Sequence, residues 1–371
     1  MEDYIFSGAH GTSLNETNLK KLVKTMTNMQ KVRFFDPAKQ NKKYRKDLDK
    51  AFDRVIKGGD LILRQDVEDF EQALCDFTGA KYAVALNSCT DALYLSLRYY
   101  GIGPGDEVLV PSRTFVATPQ VIVQLGATPV FYDTDGLFEI TEKTKAIIPV
   151  HIEGVIEEDI DMMAEMSKLH GIPVIEDAAQ ALGARIYDKH AGTFGSTGCF
   201  SFYPAKILGC LGDGGALITD NKAIYEWVKE ARNHFKYTAK DWGVNSRLDN
   251  LQAAFLNVKI KDLPNMLQIR ANIAKFYDDN IKAHVDLELP QATEGRVYQD
   301  YIIRTSQRDE LYEFLQARGI ETMKNNYPFP VPKLPEAQRY EDETLRLPCN
   351  DVLELEEINY VVEQINEFFQ D

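Results

Sequence analysis

Cysteine is scarce in this chain, and what there is does not pair. Five cysteines stand among 371 residues, at 75, 89, 199, 210 and 349. No two of them form a CxxC unit and the number is odd, which argues against a disulfide framework or a zinc ribbon and for a reduced, cytoplasmic protein. The six histidines show no HExxH or comparable spacing, so no metal site is expected. Long apolar runs are missing too. No segment reaches the roughly 18 to 20 unbroken apolar residues that a membrane span needs. The start, "MEDYIFSGAHGTSL", has neither the basic beginning nor the apolar centre of a signal peptide. Positive charge is in short supply: Lys plus Arg is 42 against 57 for Asp plus Glu, a formal net charge of -15. That balance disfavours broad electrostatic binding of nucleic acid or of an acidic membrane surface. Internal repeats and low-complexity segments are absent as well.

Hydrophobic residues make up 44% of the chain, enough to bury a large core over a length that suits two domains. Residues 1–31 read as an N-terminal extension. Ser13 and Glu16 have capping-box spacing, and Leu19, Leu22, Val23 and Met26 recur at helical intervals, which predicts a packing helix. From about residue 80 the runs "YAVAL", "DEVLVP", "TPVFYD", "KAIIPVHI" and "IPVIED" alternate with helical segments such as "TDALYLSLRYYG" and "DIDMMAEMSKLHG". Strands alternating with helices predict an α/β fold with a mostly parallel sheet covered by helices on both faces. "GCFSFYP" and "GGALITD" read as two further strands close together. A helix-period stretch from Leu248 to about Ile281 leads to a smaller C-terminal α/β unit, with strands near "YQDYIIRT" and "IETMK" and a final amphipathic helix, "EEINYVVEQINEFF". The boundaries expected are 1–31, 32–260 and 261–371.

Open α/β sheets bind ligands outside the carboxyl ends of their strands, and several informative residues follow strands here. In "LNSCTDAL", Ser88, Cys89 and Thr90 lie between a strand and a helix. Their backbone N–H groups make a natural phosphate seat, although an ordinary N-cap uses the same residues. Phe115, in "PSRTFVAT", stacks on a flat ligand or packs in the core. Asp177, ending "VIED", caps the next helix or holds a protonated ring nitrogen, and Gln180 is one turn further on. Lys206 is the one lysine of "FSFYPAKILGCLGDGG". Among aromatic and apolar neighbours its ammonium is desolvated, which favours the neutral amine that attacks a carbonyl. A lysine that forms a Schiff base, an acid for a ring nitrogen and a phosphate seat, with Ser201 nearby, converge on pyridoxal 5′-phosphate. "GIGPGD" precedes a strand, so it is no dinucleotide fingerprint. "GCLGDGG" lacks the GK[ST] ending of a P-loop.

With these motifs in view, the sequence resembles the DegT/DnrJ/StrS sugar aminotransferases, which have the aspartate-aminotransferase-like fold. The resemblance runs from about Phe35 to the C-terminus, through "DVEDFEQALCDFTGAKYAVALNSCTDAL", "GPGDEVLVPSRTFVAT", "PVIEDAAQALGA", "FSFYPAKILGCLGDGGALIT" and "GVNSRLDNLQAA" in chain order. It implies that Lys206 forms the cofactor's internal aldimine, Asp177 pairs with the pyridine nitrogen, Gln180 meets the ring hydroxyl and Phe115 stacks on the ring. Cys89, Thr90 and Ser201 would hold the phosphate, with Asn245 reaching in from the other subunit of a homodimer with shared sites. Arg247, His151 and Tyr327 would contact the substrate, a keto sugar on a nucleotide diphosphate, with glutamate as amino donor. Residues 32–260 would be the large cofactor-binding domain. "LGDGGA" resembles members that aminate position 3, whereas "GEGG" marks many that aminate position 4. The chain departs from the family pattern at Cys89, at Arg64 and Gln65, at Glu153 in "HIEG" and at Asn326 in "NNYP". The alternatives are a 4-keto-sugar aminotransferase, a related sugar dehydratase and a non-catalytic cofactor-binding regulator. The dehydratases replace the lysine with histidine, so Lys206 argues against them. The implied setting is bacterial polysaccharide or glycoside biosynthesis.

Overall fold

A computed structural model describes residues 31–133, 138–325, 332 and 334–370. The expected helix over Ser13–Met26 lies outside the described residues, and so does Tyr327. The described residues open with two helices, α1 (Pro37–Gly58) and α2 (Gln65–Thr78). Strand β1 (Tyr82–Leu86), helix α3 (Cys89–Tyr99), β2 (Glu107–Pro111), α4 (Ala117–Gln124), β3 (Thr128–Tyr132), β4 (Thr144–Ile147), α5 (Ile160–His170) and β5 (Ile175–Asp177) follow. A short hairpin, β6 (Arg185–Ile186) and β7 (Lys189–His190), precedes β8 (Thr197–Ser201), β9 (Gly215–Thr219) and α6 (Lys222–Ala231).

Strands β3, β2 and β4 form one parallel group, and β5 pairs in parallel with β8. Parallel bridges Ile147–Val174 and Val150–Asp177 join the two groups. The spatial order is therefore β3-β2-β4-β5-β8-β9-β1. Both faces are covered, as the continuous apolar runs require. Alternate residues enter different cores: Ala83, Leu109, Ile147 and Ile218 pack in one, Val84, Val108, Ala146 and Leu217 in the other.

One strand departs from the parallel expectation. β9 runs antiparallel to both β8 and β1. The reason is the connection before it. A parallel crossover usually carries a helix across the face of the sheet, and among the described residues none stands between β8 and β9. Residues 202–214 instead fold back as a closed loop, with Phe202 N–H donating to Gly214 O at 2.8 Å and Cys210 N–H to Phe202 O at 2.8 Å. Gly215 consequently lies opposite Leu86 on one side and Ser201 on the other, so the phosphate-seat turn and Ser201 meet at one edge of the sheet.

The helical stretch after Leu248 is broken in two. Helix α7 (Asn250–Lys259) packs on α1 and α2, a 3-10 turn follows, and α8 (Leu263–Asn280) restarts with Pro264 in its first turn. Proline there lacks only an N–H that would have no helical partner. The elements that follow are β10 (Tyr301–Arg304), α9 (Arg308–Ala317), β11 (Met323–Lys324), α10 (Pro335–Glu343), β12 (Thr344–Leu347) and α11 (Leu355–Phe368), and a third core joins α8, β10, α9, β12 and α11. Its antiparallel sheet has the order β10-β12-β11. Val32 belongs to this third core and bridges to Ile320.

Candidate active site

The carboxyl edge of the large sheet gathers most of the residues singled out above. Between β1 and α3, the Ser88 hydroxyl caps the helix by accepting from Asp91 N–H at 3.1 Å. Cys89 and Thr90 open its first turn, where backbone N–H groups lack helical partners. The start of β9 presses on this turn. A Cβ at Gly215 would lie 2.2 Å from the Ser88 carbonyl carbon and 2.4 Å from Cys89 N, so only glycine fits. The Cys89 thiol is buried 3.9 Å from Asp177 Oδ1, and desolvation, then the carboxylate, holds its pKa well above the ordinary range.

Asp177 is buried at the end of β5. Its Oδ2 accepts from the Thr118 hydroxyl at 2.7 Å and its Oδ1 from Ala179 N–H at 3.1 Å. Thr118 is itself 2.8 Å from the Thr114 hydroxyl. These bonds fix one orientation of the carboxylate. The sequence reading missed Thr118, although it sits at the end of the "PSRTFVAT" motif.

Lys206 is half-buried, in the closed loop between β8 and β9. Desolvation lowers its pKa, opposed by the carboxylates of Asp300 and Asp177. Two side chains from outside the sheet clamp this loop. Gln299 Nε2 donates to Ala205 O at 2.9 Å, and the buried Lys259 Nζ donates to Gly209 O at 2.9 Å. Asp300 is held by Arg346, whose Nε lies 2.9 Å from Asp300 Oδ2. Residues 259, 299, 300 and 346 carried no signal in the sequence, because they come from elements distant in the chain.

Gln180 Oε1 accepts from Glu153 N–H at 2.7 Å, which leaves its NH2 group as a donor. Phe115 is half-exposed beside Thr114, and Ser201 accepts from Tyr203 N–H at 3.3 Å. Beyond Gln180 opens a cleft lined in part by Arg113, Glu153, Asn325, Tyr340 and Arg346.

One expectation changes in the structure. His151 does not face this cleft. It is fully buried, with Nε2 2.8 Å from Glu176 Oε2 and Nδ1 accepting from Glu157 N–H at 3.1 Å. Successive side chains of a strand point to opposite faces. Asp177 turns to the site, Glu176 turns away, and His151 is Glu176's partner. Asn245 and Arg247, expected to serve the neighbouring subunit's site, are occupied otherwise within this chain. Asn245 is exposed and its backbone bridges to Asn233, while Arg247 Nη1 donates to Asn233 Oδ1 at 2.8 Å. Between them Ser246 turns inward, accepting from Asn87 N–H at 3.1 Å and donating to Asp91 at 2.8 Å.

The profile of the DegT/DnrJ/EryC1/StrS aminotransferase family matches residues 42–366. The chain is 36% identical to the dTDP-3-amino-3,4,6-trideoxy-alpha-D-glucose transaminase of Streptomyces venezuelae, over 91% of this chain and 96% of that protein. It is 37% identical to the UDP-2-acetamido-2-deoxy-3-oxo-D-glucuronate aminotransferase of Pseudomonas aeruginosa, over 86% and 92%. Among solved structures, DesV of S. venezuelae in complex with a ketimine intermediate superposes with a TM-score of 0.86 at 35% identity, covering 92% of this chain and 99% of that one.

Proposed function

The chain belongs to the DegT/DnrJ/EryC1/StrS aminotransferase family, and from that premise we propose that it moves the amino group of glutamate to position 3 of a keto sugar carried on a nucleotide diphosphate. That it is a sugar aminotransferase working with pyridoxal phosphate follows from the family and its relatives. The donor and the position are our reading. Position 3 is supported by "LGDGGA" and by the 3-amino and 3-oxo sugars in the names of the two relatives. Amination at position 4 is the second reading.

One observation carries the proposal: a lysine amine made less basic by burial shares its site with a carboxylate fixed by Thr118. The donor set and the cradle fit the cofactor. The first-turn N–H groups of Cys89 and Thr90, with Ser201, would hold its phosphate, and Gly215 leaves that seat unobstructed. Asp177 would hold the ring nitrogen, Gln180 the ring hydroxyl and Phe115 the ring face. When bound, pyridoxal phosphate supplies an electron sink for the carbon that loses its proton. Lys206 would have two tasks: its Nζ would hold the cofactor at rest, and when free it would take up and return a proton as a general base and acid. Thr118 and Ala179 keep the Asp177 carboxylate aimed while that proton moves.

We further take residues 32–260 as the cofactor domain and 261–371 as the smaller domain of a homodimer with shared sites. The exposed Asn245 supports such sharing, with Arg247 beside it on the substrate. The test is a panel of 3-keto and 4-keto nucleotide sugars incubated with glutamate, with borohydride trapping of the cofactor in parallel. Amination of a 3-keto sugar and a reduced adduct on Lys206 are expected. Turnover of 4-keto sugars alone would move the reaction to position 4, and an adduct on another lysine would overturn the site.

A further inference from the structure

The cleft beyond Gln180 contains an ion pair that the assignments above do not use. Arg113 and Glu153 bond to each other across it. The Arg113 guanidinium carbon lies over the Tyr340 ring, 3.4 Å from its centroid. Both residues are tied to the catalytic group. Glu153 N–H holds Gln180, and Thr114, next to Arg113, bonds to the Thr118 that fixes Asp177.

Resting on the glutamate reading, we infer that Arg113 is the receptor for the distal carboxylate of a dicarboxylic amino donor, and that Glu153 occupies this receptor while an uncharged keto group is in the site.

A ping-pong aminotransferase must admit two unlike molecules to one cleft. Glutamate brings a second carboxylate, and a sugar ketone brings none to the reacting end. A fixed, unpaired arginine would serve the first and be penalised by the second, because a half-buried cation without a partner is costly. An internal partner removes that conflict. Arg113 exchanges one carboxylate for another, so its guanidinium has an anionic partner in either state. A guanidinium has five N–H donors in a planar fork, and Arg113 Nε is buried with no hydrogen-bond partner among the described residues. The Tyr340 hydroxyl at the same cleft is likewise buried and unpartnered. Stacking on Tyr340 keeps the fork in plane as its partner changes. Glu153 has a positive φ of 60°, a backbone conformation that side chains other than glycine adopt at a cost and that concentrates at functional sites. The second arginine of the cleft, Arg346, is engaged with Asp300, which acts on Lys206. Arg113 is therefore the one whose partner can change without disturbing the lysine.

Glutarate, a dicarboxylate without an amino group, is the equilibrium probe, titrated calorimetrically into the holoenzyme. Arg113→Gln should weaken its binding by about 10- to 100-fold, the loss typical of a charge-assisted pair, and Arg113→Lys should restore part of it. Glu153→Gln, which removes the competing carboxylate, should tighten it. In half-reactions followed by cofactor absorbance, Arg113→Gln should reduce kcat/KM for glutamate about 10-fold or more beyond its effect on alanine. Unchanged glutarate binding in Arg113→Gln, or equal losses for glutamate and alanine, would overturn the role of Arg113. A wild-type enzyme that rejects glutamate overturns the donor assignment instead, and glutarate still decides the role of Arg113.

Discussion

At the residue scale, the site depends on side chains whose surroundings shift their protonation. Glu157 is an instructive case because it lies behind the cleft. Burial, joined by Asp159, raises its pKa to about 7, against the opposing effects of His151 and Arg113. The folded protein thus holds this proton more tightly than the unfolded chain does. Its stabilising effect is complete below the unfolded value of 4.5 and is lost as pH rises through about 7. Glu157→Gln should therefore gain on the wild type between pH 5 and pH 8, by about 2–3 kcal/mol at the upper end. Melting curves at the two pH values check this, and a constant gap would refute it. Thr118→Val should strip Asp177 Oδ2 of its hydrogen bond and cost about 1–3 kcal/mol, measured by urea unfolding, with slower turnover. Lys206, Asp177, Gln180 and Cys89 were legible because each follows a strand end in an α/β pattern. Thr118 was not, since its partner is 59 positions away and a threonine in the first turn of a helix carries no signal alone. His151 misled for the converse reason. Adjacent carboxylates at 176 and 177 look alike in sequence, and only the pleat decides which one faces the site.

At the scale of elements, the phosphate seat is a contact between the start of β9 and the turn before α3. Gly215→Ala would drive a methyl group into backbone atoms that cannot rotate away. We expect a loss of about 1–3 kcal/mol or more, as for overpacked cores, with cofactor retention falling further than the melting temperature implies. Absorbance of the purified variant after dialysis measures that retention, and normal retention would remove Gly215 from the seat. Strand positions and helix faces were readable from period and apolar content. The reversal of β9 was not, because direction depends on how residues 202–214 close, and that closure is made by backbone hydrogen bonds. The break between α7 and α8 was also missed, although Pro264 marks it.

At the scale of the whole molecule, the surface bears on the proposed shared site. Phe52 and Ile56 are exposed one turn apart on α1, and Leu61 and Ile62 are exposed just beyond it. Apolar side chains spaced this way suit coverage by another protein surface. If subunits share sites, mixing inactive Lys206→Ala and Arg247→Ala proteins under exchange should return roughly a quarter of wild-type activity, since each mixed dimer has one intact site. Exchange without recovery would mean that each site is built from one chain. The reversed strand also sets a timetable for synthesis. Among the described residues β1 pairs with β9 alone in the sheet, with Tyr82 opposite Thr219. A ribosome adding roughly 5–20 residues per second leaves that edge unpaired for on the order of ten seconds. Over that interval the backbone of β1 is open to chaperones or to a neighbouring nascent chain. The seat for the phosphate, which needs Gly215 against Ser88, comes into existence only when the interval closes.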